Sequence, residues 1–152
     1  MLGRAKQFAA LDGQRRKLFV EAYFLLGLMR FSLLRKPFTQ LVSQLQIHRE
    51  KVTQPPQEPA AIEWAQVIGW AVTVAARNTP WDSTCLVQVL AAQRMLAKRG
   101  IAGVFYIGAT TAVNDNESVE LLAHAWLQCN DEFITGEPGH QAYTVVSAFS
   151  WS

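Results

Sequence analysis

Cysteine is scarce in this chain, which has two cysteines and three histidines among 152 residues. Two cysteines cannot form the disulfide framework of a small secreted domain, and no Cys/His pair has zinc-finger spacing. The sequence also lacks a Walker A loop and a glycine-rich dinucleotide fingerprint. It therefore predicts no metal site and no bound cofactor, and a fold that depends on its hydrophobic core.

A long hydrophobic run is also missing. The first eleven residues have neither the apolar core nor the cleavage site of a signal peptide. The most apolar stretch, residues 18–34, is interrupted by Glu21 and Arg30, which leaves eight uncharged residues between them. A bilayer span needs roughly 20. We therefore expect a buried helix and a cytoplasmic protein with reduced thiols; contact with a membrane surface is possible but not favoured.

Acidic residues are rare in the first third of the chain. Residues 1–51 hold ten of the fourteen Lys/Arg and three acids, a net charge of +7, whereas residues 52–152 hold four basic and nine acidic residues, a net charge of −5. The basic part, over residues 12–51, is either a docking surface for an anionic partner or the solvated rim of an amphipathic helix. Nucleic acid is not expected, because the aromatic residues follow the apolar helical stripe instead of alternating with Arg and Lys.

The first half of the chain has helical spacing. A first helix is predicted from the Asp12-Gly13 cap up to Pro37, with an apolar stripe, and Pro37 fits the first turn of a short second helix. A polar linker rich in proline covers residues 48–59, and a third helix covers about residues 60–77. The apolar residues of the first and third stripes are Phe19, Tyr23, Leu26, Phe31, Trp64, Val67, Ile68 and Ala71.

The second half of the chain changes period. Ser83 or Thr84 can cap a helix that runs through Arg99, and Gly100 lies where a C′ glycine belongs. Strands are predicted over residues 104–108, 121–129, 132–135 and 143–149, with a polar loop over 111–117. The predicted fold class is α+β: N-terminal helices, then a capped helix packed on an antiparallel meander. We expect a helical, basic region 1–54 and a core domain 60–152.

A cysteine and a histidine carry the candidate chemistry. Cys85 lies in the first turn of its predicted helix, where free amides and the helix dipole stabilise a thiolate and a developing oxyanion. His124 lies on a predicted strand, so nucleophile and base would come from different elements. Each residue alone is more often a packed or solvated side chain. The pair predicts a sulfur within about 4 Å of a ring nitrogen, allowing for looser contacts without substrate.

Four segments carry a more specific resemblance: CLV at residues 85–87, LAKRGI at 96–101, FYIG at 105–108 and AHAWL at 123–127. In this order and spacing they resemble the transglutaminase-like core of lasso-peptide B proteins, the cysteine peptidases that remove the leader from a lasso precursor. The resemblance covers about residues 60–150, and the N-terminal helices also resemble that family. The chain resembles the split form, in which the leader-recognition domain is a separate small protein.

The resemblance implies that Cys85 is the nucleophile and His124 the general base. The third catalytic residue is open, because the family's acidic position, about a dozen residues after the histidine, is Gly136 here. Glu137 is the first candidate: with a two-residue turn at Asn130-Asp131, Glu137 pairs opposite His124. Asp131 is the second candidate. A Cys–His dyad assisted by a backbone carbonyl is the remaining alternative.

The family also implies partners: a precursor peptide as substrate, a leader-recognition protein and an ATP-dependent lasso cyclase. The basic helices of residues 12–51 are then the candidate docking surface for one of them. Two other functions remain open. One is acyl transfer or amidation on the same fold, and the other is a non-catalytic adaptor that binds a peptide or a membrane.

Overall fold

Helices form the first half of the molecule and an antiparallel sheet the second. The computed structural model describes residues 12–152. No helix in this part is long and apolar enough to cross a membrane. The elements are α1 (Gly13–Arg35), α2 (Phe38–Leu41), β1 (Gln46–His48), α3 (Pro59–Ala76), α4 (Cys85–Lys98), β2 (Gly103–Val113), β3 (Val119–Cys129), β4 (Glu132–Thr135), a 3-10 helix (His140–Ala142) and β5 (Thr144–Trp151).

The helix ends lie where local chemistry predicts them. The Asp12 carboxylate accepts a hydrogen bond from the Arg15 amide at 2.8 Å and starts α1. Thr84 caps α4, and its hydroxyl accepts from the Val87 amide at 3.4 Å. Gly100 follows α4 with a φ of 70°, a conformation that glycine adopts without a Cβ penalty. These predictions are confirmed.

The sheet is not the predicted meander. Its strand order is β1-β5-β2-β3-β4, with every pair antiparallel, so β5 returns to the far side of β2 instead of following β4. The return buries Phe149 of β5, whose ring stacks on Phe105 of β2 at 4.8 Å. A strand that the sequence does not predict, β1, lies at the outer edge and ends where the predicted linker begins, at His48. The predicted loop at 111–117 is shorter, because β2 continues to Val113.

The helices cover one face of the sheet. Large side chains of α1, α3 and α4, such as Met29, Ile68 and Met95, share one core with Leu127 of β3. The opposite face carries a smaller cluster around Trp126. Helices α1 and α4 share one core, so the two predicted regions, 1–54 and 60–152, pack against each other. The boundary between them stays a prediction.

Two predicted core residues are at the surface. Trp64 of α3 is 39% exposed and Phe31 of α1 is 56% exposed. Their helices bury other residues instead: α3 turns Ile68, Ala71 and Val72 inward, and α1 buries a stripe that includes Leu26. Both helices are apolar around much of their circumference, so the sequence pattern alone does not select the buried face.

One ion pair ties α1 to the end of α4. The Arg99 guanidinium donates to both carboxylate oxygens of Glu21, at 3.1 and 2.7 Å. These hydrogen bonds hold the pKa of Glu21 below its ordinary 4.5, although partial burial opposes them and the charges of Arg99 and Lys98 add to them. Because the pKa is lowered in the folded state, the pair stabilises the fold above pH 4.5, and the contribution is lost as pH falls through the lowered value.

We expect Glu21→Gln to lower the free energy of unfolding at pH 7 by about 1 kcal/mol, since the pair is half-buried and bidentate. The difference from wild type should shrink as the pH falls below 4.5. Urea unfolding across that pH range measures it. The control is Glu63→Gln on the exposed surface of α3. Equal pH profiles for the two variants would contradict the assignment.

Candidate active site

Cys85 is the first residue of α4. Thr84 caps the helix and occupies the Val87 amide, while the amides of Cys85 and Leu86 lie in the first turn, where a helix offers no carbonyl partner. The Cys85 side chain is half-buried and carries a free thiol. A sulfur at this position lies beside amides that can donate to a developing oxyanion.

His124 lies in the middle of β3 and is half-buried. Its ring packs against Trp126 at 5.8 Å between centroids and against Tyr143 at 5.2 Å. The alternation of β3 directs Ala125 and Leu127 to the helical core and places His124 on the opposite face with Trp126. The aromatic neighbours fix the ring beside the edge of the strand.

A backbone carbonyl fixes the tautomer of His124. The Nε2 atom lies 2.6 Å from the carbonyl oxygen of Gly136. A carbonyl only accepts hydrogen bonds, so Nε2 carries the proton and donates it. In the neutral ring, Nδ1 is then the nitrogen that can take a proton from a nucleophile.

One open cleft is lined by both residues, although His124 shares the face of the sheet opposite the helices with Trp126. Its volume is about 580 Å³, and it lies between the end of α3, the start of α4 and residues 133–138. Both Cys85 and His124 line it. Within residues 12–152 no hydrogen bond joins the thiol to the imidazole, and catalytic hydrogen bonds are often long before a substrate binds. The cleft therefore presents a helix-end thiol and a histidine of defined tautomer to the same ligand.

Comparison with models of protein families assigns the fold. The model of the transglutaminase-like superfamily matches residues 27–148, which is most of the chain. The chain belongs to the transglutaminase-like superfamily. Comparison with curated proteins and with solved structures gives no match. The predicted α+β fold, with α4 beginning at Cys85 and packed on an antiparallel sheet, is confirmed for this transglutaminase-like protein.

In this transglutaminase-like chain Glu137, the first candidate for a third catalytic residue, is not paired as the sequence predicts. The expected register holds at Cys129↔Glu132 and Gln128↔Phe133, but it shifts by one at Leu127↔Thr135, and β4 ends there. Glu137 therefore has no strand partner opposite His124, although it lines the cleft. The partner of the ring is the carbonyl of Gly136, as in the dyad alternative. Asp131 lies in the exposed turn before β4 and does not line the cleft.

We expect Glu137→Gln to keep catalytic activity within about threefold of wild type, because the ring hydrogen bond to Gly136 does not need the carboxylate. If Glu137 were the orienting acid, its loss would cost about 10⁴-fold in kcat through the wrong tautomer. Steady-state kinetics with a cleavable peptide distinguishes the two. The matched control is Asp131→Asn in the nearby turn, which should also leave kcat unchanged.

Sequence reasoning missed several polar residues of the cleft, among them Thr135, Gln88 and Arg77. Thr135 is 4% exposed, and its hydroxyl has no hydrogen-bond partner among the described residues. Gln88 lies one turn after Cys85, and its amide donates to the Ser83 carbonyl at 2.9 Å. Arg77 ends α3 and adds a positive charge. The unpaired Thr135 hydroxyl is an energetic cost to the fold at the wall of the cleft, since a buried hydroxyl without a partner is destabilising.

The second cysteine has a structural role. Cys129 closes β3 and is fully buried. Burial raises the pKa of its thiol to about 12, because a thiolate would lose its hydration there. At neutral pH it is therefore protonated and unreactive, which leaves Cys85 as the reactive sulfur of the chain.

Proposed function

We propose that this protein is a cysteine endopeptidase that removes the leader peptide from a lasso precursor. The observation that carries the proposal is the joint exposure, in one cleft, of the Cys85 thiol and the His124 ring with its Nε2 proton bound to a carbonyl. Membership of the transglutaminase-like superfamily supports cysteine chemistry. The resemblance of four sequence segments to lasso B proteins supports the substrate.

The proposed reaction uses the cleft in two stages. His124 Nδ1 takes the proton of the thiol, and the sulfur attacks the carbonyl carbon at the leader–core junction. The first-turn amides of α4 stabilise the oxyanion. His124 then gives the proton to the leaving amine, which frees the core peptide. Water, activated by the same ring, hydrolyses the leader thioester and restores the thiol.

The edge of β3 offers a path for the peptide. β4 pairs with β3 only from Leu127 to Cys129, so within the described residues no strand pairs with the edge of β3 that runs from Val119 to His124. An extended peptide can add to such an edge through its backbone hydrogen bonds. We expect the precursor to lie along this edge, with the bond to be cleaved beside His124.

The partners in this proposal follow the resemblance. A separate leader-recognition protein would hold the precursor, and an ATP-dependent cyclase would use the amine released by cleavage. The proposal needs no cofactor of this chain. The reading frames beside its own offer a direct test of the partners. A short precursor, a recognition protein of the size of a small domain and an asparagine-synthetase-like frame would support the assignment.

Product mass after incubation with the precursor and recognition protein tests the reaction. Hydrolysis gives a leader that ends in a free carboxylate, and the masses of leader and core then sum to the mass of the precursor plus one water. Acyl transfer or amidation instead gives a leader that carries the acceptor. A non-catalytic adaptor gives no product, and Cys85→Ala would then retain full function in maturation. We expect the leader to appear only in its hydrolysed form.

A further inference from the structure

The first helix is apolar on two opposite faces, and only one is covered. One face of α1 packs into the core through Leu18, Ala22, Leu26 and Met29. Large apolar side chains advance along the other face by four, four, three and three residues, which is helical spacing for a single stripe. These residues, which we call the outer stripe, are 41–71% exposed: Val20, Phe24, Leu28, Phe31 and Leu34.

The outer stripe is long, with the Trp81 ring packed against Gly27 in its middle. It extends over 15 residues from Val20 to Leu34, or about 21 Å at the rise of an α-helix. Its two phenylalanines are the most exposed aromatic side chains of α1, at 71% and 56%. A contiguous exposed apolar surface of this kind marks an interaction site more often than scattered apolar residues do.

The rim of the stripe is positively charged. Arg16 and Lys17 lie about one turn before Val20, Arg35 and Lys36 directly follow Leu34, and Arg30 lies on one flank. The Arg35 guanidinium lies 5.2 Å above the Phe31 ring. Glu21 is the single acidic residue of α1, and it is already neutralised by Arg99 and Lys98. The stripe therefore has an apolar centre and a rim of one sign.

This charge pattern disfavours a second copy of the chain. Two α1 helices packed through their stripes, parallel or antiparallel, would bring cationic ends against cationic ends. A protein partner would need acidic residues around its whole groove. An anionic lipid surface is uniformly negative and deformable, and it accepts an apolar helix face whose Lys and Arg side chains reach the headgroups.

We propose that the outer stripe of α1 binds the surface of an anionic lipid bilayer, with the helix axis parallel to the membrane plane. The two phenylalanines enter the boundary of headgroups and acyl chains, and the five cations of the rim contact lipid phosphates. This mode needs no membrane-spanning helix. It rests on α1 alone and is independent of the proposed peptidase activity.

Co-sedimentation of the full chain with phosphatidylglycerol/phosphatidylcholine vesicles tests the proposal. We expect partitioning at least tenfold stronger than with phosphatidylcholine alone, and weaker in 0.5 M salt. The double variant Phe24→Ser/Phe31→Ser should bind the anionic vesicles at least tenfold more weakly than wild type. Arg16→Gln/Lys17→Gln should lose about fivefold per charge, as about 1 kcal/mol for each surface cation predicts.

The matched control removes apolar residues that are equally exposed elsewhere. Val119→Ser/Leu121→Ser changes side chains of β3 that are 70% and 76% exposed, and vesicle binding should be unchanged. Thermal unfolding of each variant confirms that the fold is intact. Absence of binding to anionic vesicles, or equal binding by the Phe24→Ser/Phe31→Ser variant, would overturn the proposal. So would a stripe-dependent dimer or a stripe-dependent complex with an acidic protein in place of lipid binding.

Discussion

Cys85→Ala is expected to abolish precursor cleavage, with kcat/KM at least about a thousandfold below wild type, because no other nucleophile can form the thioester. The thiol is half-buried at the start of α4, so its removal should change the free energy of unfolding by less than about 1 kcal/mol. Product mass spectrometry measures the activity and thermal unfolding the stability.

The second cysteine supplies the control. Cys129→Ala removes a thiol that is buried in β3 and held protonated by a pKa of about 12. It should cost about 1 kcal/mol of stability through the small cavity it leaves, with kcat/KM per folded molecule unchanged. The account fails if Cys85→Ala retains cleavage, or if the two variants lose activity equally.

Gly136→Ala is expected to damage both the fold and the site. Gly136 has a φ of 79°, and a Cβ there would lie 2.4 Å from the Ala125 carbonyl oxygen and 2.9 Å from the Trp126 Cα. Backbone must move to admit the methyl group, which carries the Gly136 carbonyl away from His124. We expect a loss of about 3 kcal/mol or more in unfolding free energy. Activity per folded molecule should fall at least tenfold with the loss of ring orientation.

Gly139→Ala separates the cost of backbone strain at a positive φ from the cost of the steric clash at Gly136. Gly139 has nearly the same φ, 81°, but nothing lies within 4 Å of its added Cβ. It should cost about 1 kcal/mol from backbone conformation alone, and its kcat should match wild type. Urea unfolding and steady-state kinetics of both variants provide the comparison. Similar losses at the two glycines would mean that the Gly136 carbonyl does not orient the histidine.

Local chemistry made the helices predictable. The caps at Asp12 and Thr84, the proline at 37 and the glycine at 100 act on their immediate neighbours, so the sequence specifies where helices begin and end. Strand order depends on contacts between residues far apart in the chain. Phe149, which stacks on Phe105, lies 44 positions after it in the chain. Nothing in the local sequence pattern indicates that β5 pairs with β2 instead of with β4.

Residue type and resemblance were enough to single out Cys85 and His124 as the candidate catalytic pair, but not to predict the hydrogen-bond partner of the His124 ring. The Gly136 carbonyl has no residue-type signal, since every residue has a carbonyl. The one-residue register shift between Gln128 and Leu127 also has no signal in the sequence, because the alternation of apolar residues in β4 is the same with or without it. Likewise, Phe24 and Phe31 look like core residues until the packing of α1 shows which face is covered.

The rate of Cys85 alkylation tests the central claim most directly: the claim that His124 activates this sulfur. Iodoacetamide labelling at pH 7, followed by mass spectrometry, compares the wild type with His124→Gln, and His140→Gln serves as the control on a neighbouring histidine. The account predicts that His124→Gln slows alkylation of Cys85 at least tenfold, while His140→Gln leaves the rate unchanged and Cys129 stays unlabelled. Equal rates of Cys85 labelling in wild type and His124→Gln would contradict it.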